Sequence, residues 1–297
     1  MARKLILYCS VMLKMSRPSQ LLAITLVYAF GCLLARANGI EYNSSFSAAG
    51  FLALIPVSIS IHFANEYADY ETDRLTVRTP FSGGSGALPE SGLPRQIALT
   101  GAWITLALGS GVALIGWVLG RVPPISLVIL ALGALFGWMY SLRPLALAWN
   151  GWGELTNALL GGVVLPLYAF SVHTGWVDWK ALLSFLPFGM LVFINLLATT
   201  WPDRQADAMV GKHTLATRWP VFRLRFTYVS VAGGAILFLL LLRNVVYPQL
   251  VVVSTLLVIP LLIWSTLAYT RQHSPFPTVA AMVFFLLVQL AAWWLVI

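Results

Sequence analysis

An all-α polytopic membrane protein is the fold class this sequence predicts, with nine transmembrane helices around a central cavity. Two observations predict it. Hydrophobic residues make up 59% of the 297 and charged residues only 9%, and the mean hydropathy is +0.84; a soluble globule has neither property. Nine apolar stretches are also long enough to cross a bilayer, which takes about 20 residues.

The elements follow in chain order. Residues 1–18 begin basic (Arg3, Lys4) and continue as a short apolar stretch interrupted by Lys14 and Arg17. With no small-residue cleavage site before the next span, they read as an amphipathic helix on the membrane surface and not as a removed signal peptide. The spans run from Gln20 to Arg36, Ala48 to Glu66, Gln96 to Leu119, Pro124 to Tyr140, Leu145 to Val172, Ala181 to Thr200, Val221 to Leu242, Gln249 to Tyr269 and Pro277 to Ile297. The fifth is long and rich in glycine, which predicts a break or a tilt. The loops are too short for a separate soluble domain, so residues 1–297 read as one integral-membrane domain. Cys9 and Cys32 make no disulfide framework, and no Cys/His cluster has zinc spacing.

The net charge of +8 would suggest nucleic acid in a soluble chain. Here no nucleic-acid partner is expected, because the basic residues sort by loop and face anionic membrane lipids. Fourteen of the eighteen Lys and Arg residues fall on the side of the N-terminal segment. The opposite side has only Arg36, Arg121, Lys180 and Arg243. The positive-inside rule therefore puts the N-terminus in the cytoplasm of a multi-pass protein of the cell membrane.

Six of the ten acidic residues sit in two short segments: Glu66, Asp69, Glu71 and Asp73 after span two, Asp203 and Asp207 after span six. Both segments lie on the cytoplasmic side, four spans apart, which suggests two related four-helix halves and a ninth helix. Asn65, Asp69 and Asp73 stand at i, i+4 and i+8 and drift by only about 80° around a helix; Asp203 and Asp207 repeat the step. If the two helix ends face each other, these oxygens suit Mg²⁺ bridging to a diphosphate, and the cation relieves the repulsion between carboxylates. The plain alternative is a pair of solvated acidic loops or helix caps. Ionisable groups near a membrane core cost on the order of 2.5–3.5 kcal/mol each, which favours a function.

The chain resembles the UbiA superfamily of intramembrane aromatic prenyltransferases. Its motifs N-x-x-x-D-x-x-x-D and D-x-x-x-D stand here as Asn65/Asp69/Asp73 and Asp203/Asp207. Arg17-Pro18 before span one and Tyr140-Ser141 at the end of span four also match. The run from Asp207 through Gly211-Lys212 and Thr214-Leu215-Ala216 to Arg218 is similar to the dihydroxynaphthoate (menaquinone-pathway) branch, as are Pro144-Leu145-Ala146-Leu147, Gly151-Trp152-Gly153-Glu154-Leu155 and His173-Thr174-Gly175. The resemblance covers nearly the whole chain and implies a UbiA-like fold, a prenyl diphosphate and an aromatic acceptor as substrates, and Mg²⁺ as cofactor. The metal ligands it implies are Asn65, Asp69, Asp73, Asp203 and Asp207, with Asn65 either a neutral ligand or an orienter of Asp69.

Lys212 is the first choice to offset charge on the leaving diphosphate, followed by Arg74, Arg78 and Arg143, for which membrane topology is the competing explanation. Tyr140 either stabilises an allylic cation with its ring face or anchors the interface. His62 reads as a satisfied buried histidine before it reads as an acceptor contact. Glu154, inside span five, is expected to face the cavity. The run Phe81 to Gly86 is either a cap over the site or a plain turn.

One stretch departs from the branch. An Asn-Asn-x-Arg is usual before the second motif, and Thr199-Thr200-Trp201-Pro202 stands there instead. Pro202 is expected to kink the helix end, and Arg204 to take over some phosphate binding. The leading expectation is prenylation of a dihydroxynaphthoate-like quinone precursor. The alternatives within the superfamily are hydroxybenzoate, homogentisate, haem, chlorophyllide or a glycerol phosphate as acceptor, or terpene cyclisation. Outside it, the alternative is a cation-coupled secondary transporter.

Overall fold

The computed structural model describes residues 2–297, with side chains from Lys4 onward. Among the described residues there are nine helices long and apolar enough to span a membrane, and no named strand. They run Pro18–Ala37, Ser44–Ala68, Gln96–Val118, Pro124–Ser141, Gly153–Thr174, Trp179–Met209, Val221–Leu241, Gln249–Ala268 and Phe276–Val296.

A tenth long helix, Ala2–Met15, precedes them. Val11 and Met15 bury its inner face against Phe63, Leu88 and Ala98. Leu5, Ile6 and Leu13 stay about two-thirds exposed, which is the division of faces an interfacial helix needs. The chain then turns into span one at Arg17, a non-glycine residue at φ 54°, and Pro18 opens the helix where its missing N–H costs nothing.

Span two packs against span three and span six against span seven, the same step in each half. Span nine closes the bundle against spans one, six and eight. Span six is the most enclosed, 61% buried. It lies against span five where a Cβ on Gly162 would fall on the backbone of Gly189; small residues let membrane helices approach this closely.

Two boundaries differ from the sequence expectation, and the break expected in span five takes a particular form. Span five does not begin at Leu145: residues 145–152 form a tight hairpin, in which Leu147 and Ala148 donate to the carbonyls of Met139 and Tyr140 at 2.9 and 2.8 Å. Gly151 turns it at φ 83°, and the helix starts at Gly153. The expected break in span five is a π-bulge at Leu160–Val164, a widened turn of the kind often found at functional sites. Span six does not end at Thr200 but continues through Pro202 to Met209. Hydropathy falls at Asp203, yet helicity does not depend on hydropathy, so Asp203 and Asp207 ride on an unbroken helix.

Candidate active site

The first acidic segment is a helix break. Span two ends at Ala68, Asp69 caps it, and a short helix, Tyr70–Leu75, carries Asp73 onward. Asn65 holds Asp69 from one turn below, its amide donating to Asp69 Oδ2 at 2.9 Å and to Ser141 Oγ at 3.1 Å. The Trp149 indole, on the 145–152 hairpin, donates to Asp69 Oδ1 at 3.0 Å. Lys212 donates to Asp69 Oδ2 at 3.1 Å and lies 3.6 Å from Asp207 Oδ1. One ammonium group thus joins the first motif to the second. Burial alone would discharge Lys212, but Asp69 and Asp207 outweigh it and hold its pKa well above the usual lysine range.

The glycine-rich run folds over both motifs. Gly83 N–H donates to Asp203 Oδ2 at 3.2 Å. Gly84, at φ 64°, has no room for a side chain, because a Cβ would collide with the Asp73 carboxylate. Ser85 reaches Glu66 through its N–H at 2.9 Å and its hydroxyl at 2.7 Å. Glu66 is fully buried and pairs with Arg17 at 2.6 Å, and Arg17 also donates to Asn65 Oδ1 at 2.8 Å.

The other expected residues make no hydrogen bond to these aspartates, though several lie beside them. Arg74 is exposed beside Glu71, 3.6 Å away. Arg78 is held by Glu90 at 2.6 Å and by the Ser85 carbonyl. Both arginines line an open cavity of about 330 Å³ beside Asp73. Arg143 is exposed on its turn. Arg204 lies over the Trp201 ring at 3.7 Å and donates to the Trp201 carbonyl at 2.7 Å. Tyr140 is half-buried at the end of span four, its ring edge beside Gly153. Glu154 is buried and accepts the Leu215 N–H at 2.9 Å. His62 hydrogen-bonds the Ser16 carbonyl at 2.8 Å, as a satisfied buried histidine does.

Sequence reasoning gave no site role to Arg17, Glu66, Ser85 or Trp149. Arg17-Pro18 was a motif match, Glu66 adjoins Asn65 and Ser85 lies in the glycine-rich run read as a cap or a turn, so three of them left a signal; Trp149 left none.

The donor set bears on a cation. Among the described residues no three His, Cys, Asp or Glu side chains converge into a finished metal-ligand group. Asp69 spends both oxygens on Asn65, Lys212 and Trp149. Asp73 Oδ2, Asp203 Oδ1 and Asp207 Oδ1 are buried without a hydrogen-bond partner. Buried oxygens are normally satisfied; Asp73 Oδ2 and Asp203 Oδ1, one from each motif, have no partner, Asp207 Oδ1 has only Lys212 at 3.6 Å, and such a set of hard oxygens suits a divalent cation.

A membrane-embedded helical bundle with two aspartate motifs joined at one end defines a class, and the comparisons agree with it. Residues 22–289 match the model of the UbiA prenyltransferase family, and the chain belongs to that family of integral-membrane prenyltransferases. A curated relative, the 1,4-dihydroxy-2-naphthoate octaprenyltransferase of Bacillus subtilis (strain 168), is 25% identical over 211 residues, 69% of this chain. The match spans 65% of that relative's length. Among solved structures, a UbiA homologue from Archaeoglobus fulgidus bound to GPP and Mg²⁺ superposes with a TM-score of 0.69 at 17% identity, covering 96% of this chain and 99% of that one. An apo UbiA homologue from Aeropyrum pernix K1 gives 0.63 at 14% identity, covering 92% and 94%. At these identities the structures speak for the fold.

Proposed function

We propose that this chain transfers an isoprenyl group from a prenyl diphosphate to an aromatic acceptor, with Mg²⁺ as cofactor, and that the acceptor is 1,4-dihydroxy-2-naphthoate or a similar quinone precursor. The observation that carries the reading is the pair of unpartnered buried oxygens on Asp73 and Asp203, one from each motif, beside Asp69 and Asp207, which Lys212 bridges. The Archaeoglobus homologue bound to GPP and Mg²⁺ and the name of the Bacillus relative support it.

Asp73, Asp203 and Asp207 would hold the cation, and Asn65 and Asp69 would complete the set were Lys212 to turn to the diphosphate. When bound, Mg²⁺ supplies Lewis-acid assistance to the departing diphosphate. Lys212 neutralises charge that develops on the leaving oxygens, and Arg74 and Arg78 attract the substrate at the mouth. The Gly83–Ser85 run excludes water over the reacting carbon. The chain works as one membrane domain, residues 1–297, with its N-terminal helix and site at the cytoplasmic face of the cell membrane.

The test incubates purified protein with prenyl diphosphates and a panel of aromatic acceptors and identifies products by mass. Magnesium-dependent diphosphate release with a prenylated naphthoate is expected. Prenylation of another acceptor alone would refute the naphthoate assignment, and no magnesium-dependent release would refute the whole reading.

A further inference from the structure

Glu154 is tied to the diphosphate end of the site by two loops. The hairpin that carries Glu154 into span five also delivers Trp149 to Asp69. The segment that delivers Lys212 to Asp69 also donates the Leu215 N–H to Glu154 Oε1 at 2.9 Å. The two loops are joined, because His213 N–H donates to the Trp149 carbonyl at 2.9 Å. Gly153 lets this happen: a Cβ there would meet Ala148 Cα at 2.9 Å, so only glycine starts the helix this close to the hairpin.

This anchoring uses one oxygen. Glu154 Oε2 is buried and has no hydrogen-bond partner, and Lys212, the nearest cation by motif, pairs with Asp69 and Asp207 instead. A second orphan comes from the end of span eight, where the Tyr269 hydroxyl is buried and also unpartnered. Leu215, whose N–H holds Glu154, packs in the same apolar cluster as Tyr269 and Trp201, and burial first, then the charge of Glu154, raise the Tyr269 phenol above its ordinary pKa. Tyr269 stacks on Tyr228 at 4.6 Å and meets Trp201 edge-on at 6.4 Å, so aromatic rings surround its hydroxyl.

We infer that Glu154 is the proton acceptor for a phenolic substrate, with the Tyr269 hydroxyl orienting that substrate; the inference rests on the transferase reading above. As the acceptor's O–H bond breaks, its proton passes to Glu154 Oε2 and the released electron pair drives the ring carbon onto C1 of the prenyl chain. The new C–C bond forms as the C1–O bond breaks, and that bond's electron pair leaves with diphosphate. The attacked ring carbon then gives up its hydrogen as a proton, the C–H pair restores the aromatic ring, the carbonyl oxygen takes a proton back, and Glu154 passes the proton it holds to solvent.

The test compares wild-type protein with Glu154→Gln, whose amide oxygen still accepts from Leu215 but cannot take a proton. The assay couples farnesyl diphosphate to 1,4-dihydroxy-2-naphthoate and to fluorinated naphthols of increasing acidity. Turnover is expected to fall at least about 10²-fold with the least acidic acceptor, the scale of general-base catalysis, and the wild-type-to-variant ratio to shrink as the acceptor ionises more readily. Diphosphate release without acceptor stays within about threefold of wild type. A ratio that is constant across the series, a variant within threefold of wild type, or a loss of acceptor-free diphosphate release would each overturn the role. Tyr269→Phe tests the same pocket without touching the Leu215 contact: the acceptor KM should rise severalfold with the diphosphate KM unchanged, and an unchanged acceptor KM would overturn the placement. Failure of the transferase reading looks different, because wild-type protein itself would then release no diphosphate.

Discussion

At Asp73, burial and the charges of Asp69 and Glu66 push the pKa up to about 8, against the pull of Arg17 and Lys212. In the metal-free protein Asp73 is therefore mostly protonated at pH 7. Its folded pKa lies above the unfolded one, so the folded state binds the extra proton and this group's contribution to stability falls as pH rises from the ordinary carboxylate range to 8. A divalent cation must displace that proton. The apparent Mg²⁺ affinity should rise with pH, by up to about tenfold per unit below pH 8, and level off above it. Magnesium dependence of diphosphate release between pH 6 and 9 checks this; a flat profile would remove the proton from Asp73.

Glu66 has a different role. Its oxygens are taken by Arg17 and Ser85, so it organises the site and leaves the cation to its neighbours. Glu66→Ala takes the ion-pair partner from a half-buried guanidinium that keeps only Asn65, which lowers stability. Thermal unfolding in detergent should show a clear drop in Tm, and an unchanged Tm would mean that water replaces the pair.

Among the elements, the glycine-rich run is the one whose conformation most directly shapes the site. Gly84→Ala places a methyl on the Asp73 carboxylate and strains a backbone at φ 64°. Turnover is expected to fall about tenfold or more, with the apparent Mg²⁺ affinity lowered and helix content by circular dichroism unchanged. Wild-type turnover would mean that the run does not press on Asp73.

The spans were legible in the sequence because the bilayer enforces long apolar helices, and the motifs because i, i+4 spacing is local. The residues that read wrongly or not at all depend on distant partners. Trp149 reaches Asp69 from 80 residues away and Arg17 reaches Glu66 from 49, and no local pattern encodes either contact. The 145–152 hairpin was read as helix because its leucines and alanines are as apolar as a span. The end of span six was read short because its aspartates are not.

For the whole molecule, the two motifs lie four spans apart, the first at the end of span two and the second on the last turns of span six. The site exists only where the halves meet, joined by Lys212 and by the Gly83–Asp203 contact. A function that needs both halves explains why buried anions persist in so apolar a chain. Under the proposed magnesium dependence, damage to either motif should weaken the same cation's binding.

Calorimetric titration of Mg²⁺ into protein holding a non-ionisable prenyl thiodiphosphate tests this most directly, using Asp73→Asn, Asp203→Asn and the double variant. Each single change should weaken Mg²⁺ binding by about tenfold or more, and the double variant should lose less than the product of the two, because groups sharing a ligand are not additive. Wild-type affinity in both single variants would contradict a cation held between the halves.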